Sequence, residues 1–226
     1  MNRREFVRGL ALAFAGITLS ELMVPAKTAE AAIAIYRGQS ANGRPSHGYL
    51  RSSTPESPAD DNWPVYPVSI SETYLRFGAL ENRLRTDRIV VHHTGNSGDV
   101  SAASIHNYHQ RIGWSGIGYH YVIHRNGVIE RGRPRDTVGA HCAGFNKSTV
   151  GISLAGNYNS ASPTDIQLET LSGLIAALCG IYRIRPAQGT IVGHRDLAST
   201  SCPGIAVYSR LPEIRQRVIA KMGYSG

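Results

Sequence analysis

The residues best suited to chemistry in this chain are its histidines and one of its cysteines. Nine histidines are present, and eight of them fall between His92 and His194. His92 follows the apolar run Ile89-Val90-Val91, and His194 follows Thr190-Ile191-Val192-Gly193. Cys202 closes the loop that residues 195–201 form after His194. Neutral imidazole and thiolate are good zinc ligands, and side chains at strand ends converge in an open α/β sheet. A histidine and a cysteine on one loop can turn back toward a shared ion, and a histidine from a neighbouring strand completes a set of three. Three protein ligands leave the fourth tetrahedral position open, as in catalytic rather than structural zinc sites. Spacing alone leaves a second reading in place: a hydrogen-bonded core histidine, a loop histidine and a buried thiol.

The elements that must position these residues can be read from periodicity. Residues 89–91 form a short buried strand. Ser101 caps a helix with Ile105, Tyr108 and Ile112 on one side and Gly113 as its stop. Residues 119–124 alternate as a strand, Asn126-Gly127 makes a hairpin turn, and residues 128–130 return. Residues 150–154 form another strand. Ser162-Pro163 opens a long helix with proline at its first position, striped by Ile166, Leu171, Leu174, Ile175, Leu178 and Ile181. Residues 190–192 form a strand that ends at Gly193-His194. Pro212 opens a last helix that Gly223 closes. Strands interleaved with helices predict an α/β fold: a single domain with a central mixed β-sheet flanked by helices, preceded by an extended N-terminal arm.

Three segments are expected. Residues 1–31 read as an export signal: Arg3-Arg4-Glu5-Phe6, then an apolar run from Leu10 to Leu19, then the small-residue pattern Ala29-Glu30-Ala31. The paired arginines resemble a twin-arginine signal, and the apolar run is shorter than the roughly 20 residues that span a bilayer. Cleavage after Ala31 leaves a protein exported to the periplasm, the cell wall or the medium, with no stable membrane insertion. Residues 32–80 read as an extended arm or linker with one short strand near residues 74–77. Residues 81–226 form the folded domain. The net charge is +8, and loss of four basic and three acidic residues with the signal leaves +7. A basic exported protein meets anionic wall polymers, not nucleic acid. Three cysteines are too few for a disulfide scaffold. A monomer is the default.

Five ordered blocks carry a family resemblance: Val91-His92-His93-Thr94, Gly118-Tyr119-His120-Tyr121-Val122-Ile123, Val138-Gly139-Ala140-His141-Cys142-Ala143-Gly144-Phe145-Asn146, Val150-Gly151-Ile152-Ser153-Leu154, and Gly193-His194-Arg195-Asp196 with Ser201-Cys202-Pro203-Gly204. Together they resemble the zinc amidases that include peptidoglycan recognition proteins and phage-type N-acetylmuramoyl-L-alanine amidases. The likeness runs from about Arg88 to Met222 and leaves the first 80 residues uncovered. It implies Zn2+ held by His92, His194 and Cys202. It implies that Tyr119 assists the zinc-bound water and the carbonyl oxygen, and that Thr200 steadies the oxyanion. It implies that His93, His120, His141 and Asn146 line the substrate groove. The implied partner is peptidoglycan, cut between N-acetylmuramic acid and L-alanine. Cytoplasmic recycling amidases carry Glu where this chain has Ser153 and Asp where it has Cys202, so the phage and recognition-protein branch fits better. Some members lack the cysteine and only bind, so a non-catalytic recognition module is the alternative.

The remaining chemical residues have plainer readings. His106 and His109 read as surface or packing residues of the first helix. Arg195-Asp196 reads as a local salt bridge shaping the ligand loop. Cys142 and Cys179 read as two free buried thiols, with a disulfide between them as the alternative.

Overall fold

The computed structural model describes residues 63–64 and 66–223. The expected export signal, residues 1–31, and the first part of the expected arm lie outside the described residues.

Five strands form one mixed sheet: β1 (Arg88–His93), β2 (Tyr121–Ile123), β3 (Ile129–Arg131), β4 (Thr149–Leu154) and β5 (Ile191–Gly193), in the order β3-β2-β4-β1-β5. β1 runs parallel to β4 and β5, β2 runs parallel to β4, and β3 closes the hairpin antiparallel to β2. The hairpin turn at Asn126-Gly127 is as expected: Gly127 has φ 86°, and its N–H donates to the His124 carbonyl at 2.9 Å. Helix α1 spans Ala102–Arg111, α2 spans Asp165–Tyr182, and α3 and α4 span Ile205–Tyr208 and Leu211–Lys221. The short α3 had no signal in the periodicity.

Successive strand side chains point to opposite faces, and this sorts the sequence into two layers. Ile89 and Val91, Tyr121 and Ile123, Val150, Ile152 and Leu154 pack under α2 and α4 in the main core. On the other face Val122 joins Ile117 and, from α1, Ala102 and Ile105 in a smaller cluster. His92, in register with Ser153 on β4, shares that second face.

Two expectations need correction. The long helix does not begin at Pro163: Thr164 is its N-cap, its side chain accepting from the Gln167 N–H, and Asp165 is the first helical residue. Threonine supplies the capping oxygen that proline lacks. Nor is there a strand at residues 74–77. Tyr74 is left-handed, with φ 51°, and that breaks an extended run. Pairing occurs at Ser71, whose N–H donates to the Ile129 carbonyl at 2.8 Å and whose carbonyl accepts from the Arg131 N–H at 2.9 Å. Ser71 thereby satisfies the outer edge of β3. Trp63, Tyr66, Val68 and Ile70 lie against the main core, while Leu75 and Phe77 lie against the smaller one.

Candidate metal centre

The pleat of β1 separates its two terminal histidines. His92 turns to the α1 face, whereas His93 turns toward Tyr158, whose N–H donates to His93 Nδ1 at 3.1 Å. His194 opens a single 3-10 turn, His194–Asp196, directly after β5. β5 is the parallel neighbour of β1, so the His194 ring comes within 4.5 Å of the His92 ring, centroid to centroid. The loop then doubles back. Arg195 N–H donates to the Cys202 carbonyl at 2.9 Å, which returns Cys202 to the start of its own loop. Asp196 does not pair with Arg195 as expected. Its carboxylate caps the turn through Gly193 N–H and accepts from the Tyr208 hydroxyl, while Arg195 reaches the Ser201 carbonyl and stacks over Tyr208.

One donor atom each from His92, His194 and Cys202 lies within 4.8 Å of the others. Cys202 Sγ stands 3.6 Å from His92 Nδ1. A thiolate and an imidazole about 2.3 and 2.0–2.1 Å from one zinc, at the tetrahedral angle, sit about 3.5–3.6 Å apart. The pair therefore has the spacing a shared zinc needs, and the donor set is one that zinc accepts. Burial, and then the neighbouring His141 and His194, hold His92 well below the usual imidazole pKa; burial lowers His194 as well. Both rings are thus neutral, the form that ligates a metal. Burial pushes the Cys202 thiol up to about 11, against a hydrogen bond from the His93 N–H at 3.4 Å.

Tyr119 lies just before β2, its ring 5.1 Å from that of His92. Burial, and then Cys202, push its pKa above the ordinary value, so the phenol keeps its proton at neutral pH. Two histidines of α1 hold this segment: His106 Nδ1 accepts from Ile117 N–H at 3.3 Å, and His109 Nδ1 accepts from Gly118 N–H at 3.1 Å. Their role went unread in the sequence, although their i,i+3 spacing places them on one face of α1. Ser153 Oγ is buried on the same sheet face as His92, and its hydrogen bonding to Tyr119 partly offsets the rise in the tyrosine pKa. Thr200 is exposed, and its hydroxyl oxygen accepts from Cys202 N–H at 3.2 Å. A cavity of about 510 Å³ opens beside Tyr119, lined also by Thr94, Gly95, Asn96, Ser104 and Tyr108.

Of the four residues expected on the groove wall, three are buried. His93 is buried against Tyr158, and His120 is fully buried, its Nδ1 accepting from Gly151 N–H at 3.1 Å. His141 is buried beneath the centre, its Nδ1 3.0 Å from His92 Nε2. Asn146 Oδ1 accepts from the His141 and Cys142 N–H groups at 2.9 Å each, so it shapes a loop. His93, His120 and Asn146 turn inward to satisfy backbone donors, whereas His141 meets the His92 ring and the Thr149 hydroxyl. Cys142 and Cys179 are free and buried.

Comparison with known proteins follows the same residues. The family profile described as N-acetylmuramoyl-L-alanine amidase matches residues 82–205. The chain is 34% identical to an endolysin of Enterobacteria phage K11 over 128 residues, which cover 54% of this chain and 82% of the endolysin. It is 35% identical to peptidoglycan-recognition protein SC2 of Drosophila melanogaster over 131 residues, covering 54% of this chain and 70% of that protein. Among solved structures, the N-acetylmuramoyl-L-alanine amidase LysC from Clostridium intestinale is similar, with a TM-score of 0.60 and 32% identity over 70% of this chain and all of that one.

Proposed function

The chain belongs to the N-acetylmuramoyl-L-alanine amidase family, and from that premise we propose that it hydrolyses the amide between N-acetylmuramic acid and L-alanine of peptidoglycan with a zinc ion held by His92, His194 and Cys202. The observation that carries this reading is the convergence of those three donor atoms beside a partly buried tyrosine. Bound there, zinc supplies a water activated at neutral pH and a Lewis acid for the scissile carbonyl.

The chain's own residues do the rest. Tyr119 retains its phenolic proton and donates it as a hydrogen bond to the oxygen that gains charge, a contribution typically worth about 3–4 kcal/mol of barrier. Thr200 receives the Cys202 N–H on its oxygen, which leaves its own O–H to reach the same oxyanion. The cavity beside Tyr119 seats the stem peptide and sets the carbonyl against the donors. Its lining is mostly uncharged apart from Arg111, so orientation comes from shape, neutral hydrogen bonds and one cation that can meet a stem-peptide carboxylate. Ser153, where the recycling amidases carry a glutamate, leaves Tyr119 as the candidate proton donor.

Residues 1–31 are assigned to export, 32–80 to an arm and 81–226 to the amidase domain; the substrate then lies in the wall outside the cytoplasm. Among the described residues no helix is long and apolar enough to cross a membrane. Mass spectrometry of products from defined muropeptides, with and without chelator, tests the proposal. Zinc-dependent release of intact stem peptides with a free L-alanine amine is expected. Wall binding without release would support the recognition-only reading instead.

A further inference from the structure

His141 donates nothing to the set of three, yet the chain around it is built to hold its ring. A Cβ on Gly151 of β4 would lie 2.6 Å from its Cγ, and one on Gly139 would lie 2.5 Å from its Cδ2. Both neighbours are glycine, so the imidazole rests in a slot that no other residue type leaves open. Asn146 fixes the backbone through the His141 N–H. The ring stands edge-on to His92, with centroids 5.0 Å apart and planes at 83°.

The single hydroxyl hydrogen of Thr149 goes to the Phe145 carbonyl at 2.8 Å. Toward His141 Nε2, 3.4 Å away, that hydroxyl therefore accepts, and Nε2 carries the hydrogen. Among the described residues no carboxylate touches the ring, and a buried imidazole without one holds a single ring proton. Its Nδ1 is then a bare lone pair. The hydrogen in the 3.0 Å contact must belong to His92 Nε2. His92 in turn keeps a bare Nδ1, the atom that faces Cys202 Sγ.

We propose that His141 is a positioning residue: it accepts the Nε2–H of His92, fixing both the tautomer and the ring orientation that present His92 Nδ1 to the metal. The inference rests on the zinc reading above. Metal-binding histidines commonly donate their second N–H to a carboxylate, carbonyl or water, and losing such a partner typically costs about 10–100-fold in metal affinity. Here a neutral imidazole takes that role, held by two glycines and a threonine.

The test begins with the metal-free, full-length chain. Nitrogen-15 NMR of the imidazoles is expected to show His92 with its proton on Nε2 and none on Nδ1. The proton on Nδ1 would overturn the proposal without any variant. Chelator competition then compares zinc affinities. His141→Phe keeps a ring but loses the acceptor, and about a 10–100-fold weaker affinity is expected. His141→Asn, whose amide oxygen falls near the Nδ1 position, is expected to recover part of it. A metal-free melting temperature checks that His141→Phe folds. Should it not fold, Thr149→Val takes its place, freeing His141 to change tautomer, and a several-fold loss is expected. A folded variant that binds zinc as tightly as wild type would overturn the proposal. Failure of the wild type to bind zinc would overturn the parent reading instead, while the NMR result would still decide the tautomer.

Discussion

His92 and His93 are neighbours in sequence and separate in chemistry. The alternation of β1 sends one ring toward His194 and Cys202 and the other toward the backbone of Tyr158. That single geometric rule, applied to a strand ending in two histidines, makes the two rings distinguishable from the strand pattern. The other two donors were readable for a similar reason: a strand end followed by a short loop that returns. The positions of His106, His109 and His120 were not readable, because a histidine that satisfies a buried backbone N–H and one that lines a groove have the same spacing; His141, which meets another histidine ring, was hidden for the same reason. At this scale Tyr119→Phe is expected to lower kcat by about 10²–10³-fold, the usual cost of one oxyanion donor, with zinc content by elemental analysis unchanged. Near wild-type turnover of wall fragments would remove Tyr119 from the mechanism. Cys202→Ser is expected to lose most bound zinc at neutral pH under dialysis, since a serine hydroxyl does not supply the thiolate.

The elements supply stiffness to this arrangement. β1 is an interior strand, parallel to β4 and β5, and its Ile89 and Val91 are fully buried beneath α2. α2 is held by its stripe more than by its cap. Leu174→Ala is therefore expected to destabilise the protein by about 2–5 kcal/mol, and Thr164→Ala by about 1 kcal/mol, both measured by denaturant unfolding. β5 is an edge strand of three residues, and its polar groups are occupied: Arg215 donates to the Ile191 carbonyl, and Asp196 accepts the Gly193 N–H. The edge that carries His194 is thus closed to another strand. Apolar runs and their spacing located the strands and the longer helices, and they misplaced ends where a side-chain cap, not a hydrophobic step, decides the boundary. The four-residue α3 is too short for any period to register.

Across the whole molecule the basic balance and the arm matter most. A net charge of +8 favours approach to anionic wall polymers. Within its described residues the arm makes no helix or named strand of its own, and Trp63, Tyr66, Val68 and Ile70 are spaced to meet the domain beneath. Truncation up to residue 81 uncovers core that Trp63, Tyr66, Val68 and Ile70 lie against, and a loss of about 2–5 kcal/mol is expected from the apolar area exposed. Acid sensitivity is also a property of the whole. Burial, and then His141 and Arg83, hold His120 well below its ordinary pKa of 6.5. Its neutral form is native at all but low pH, while in the unfolded chain it takes a proton below about 6.5. Its contribution to stability is therefore complete above that pH and is lost as the pH falls toward the lowered folded value, at up to about 1.4 kcal/mol per pH unit. His120→Gln is expected to show a shallower loss as the pH falls below about 6.5 in the metal-free protein.

Zinc K-edge X-ray absorption on the zinc-loaded chain addresses the shared ion directly. One sulfur at about 2.3 Å and two imidazole nitrogens at about 2.0–2.1 Å are expected, with one lighter atom in the remaining position. A spectrum without sulfur, or with fewer than two imidazoles, would mean that His92, His194 and Cys202 do not hold one metal together.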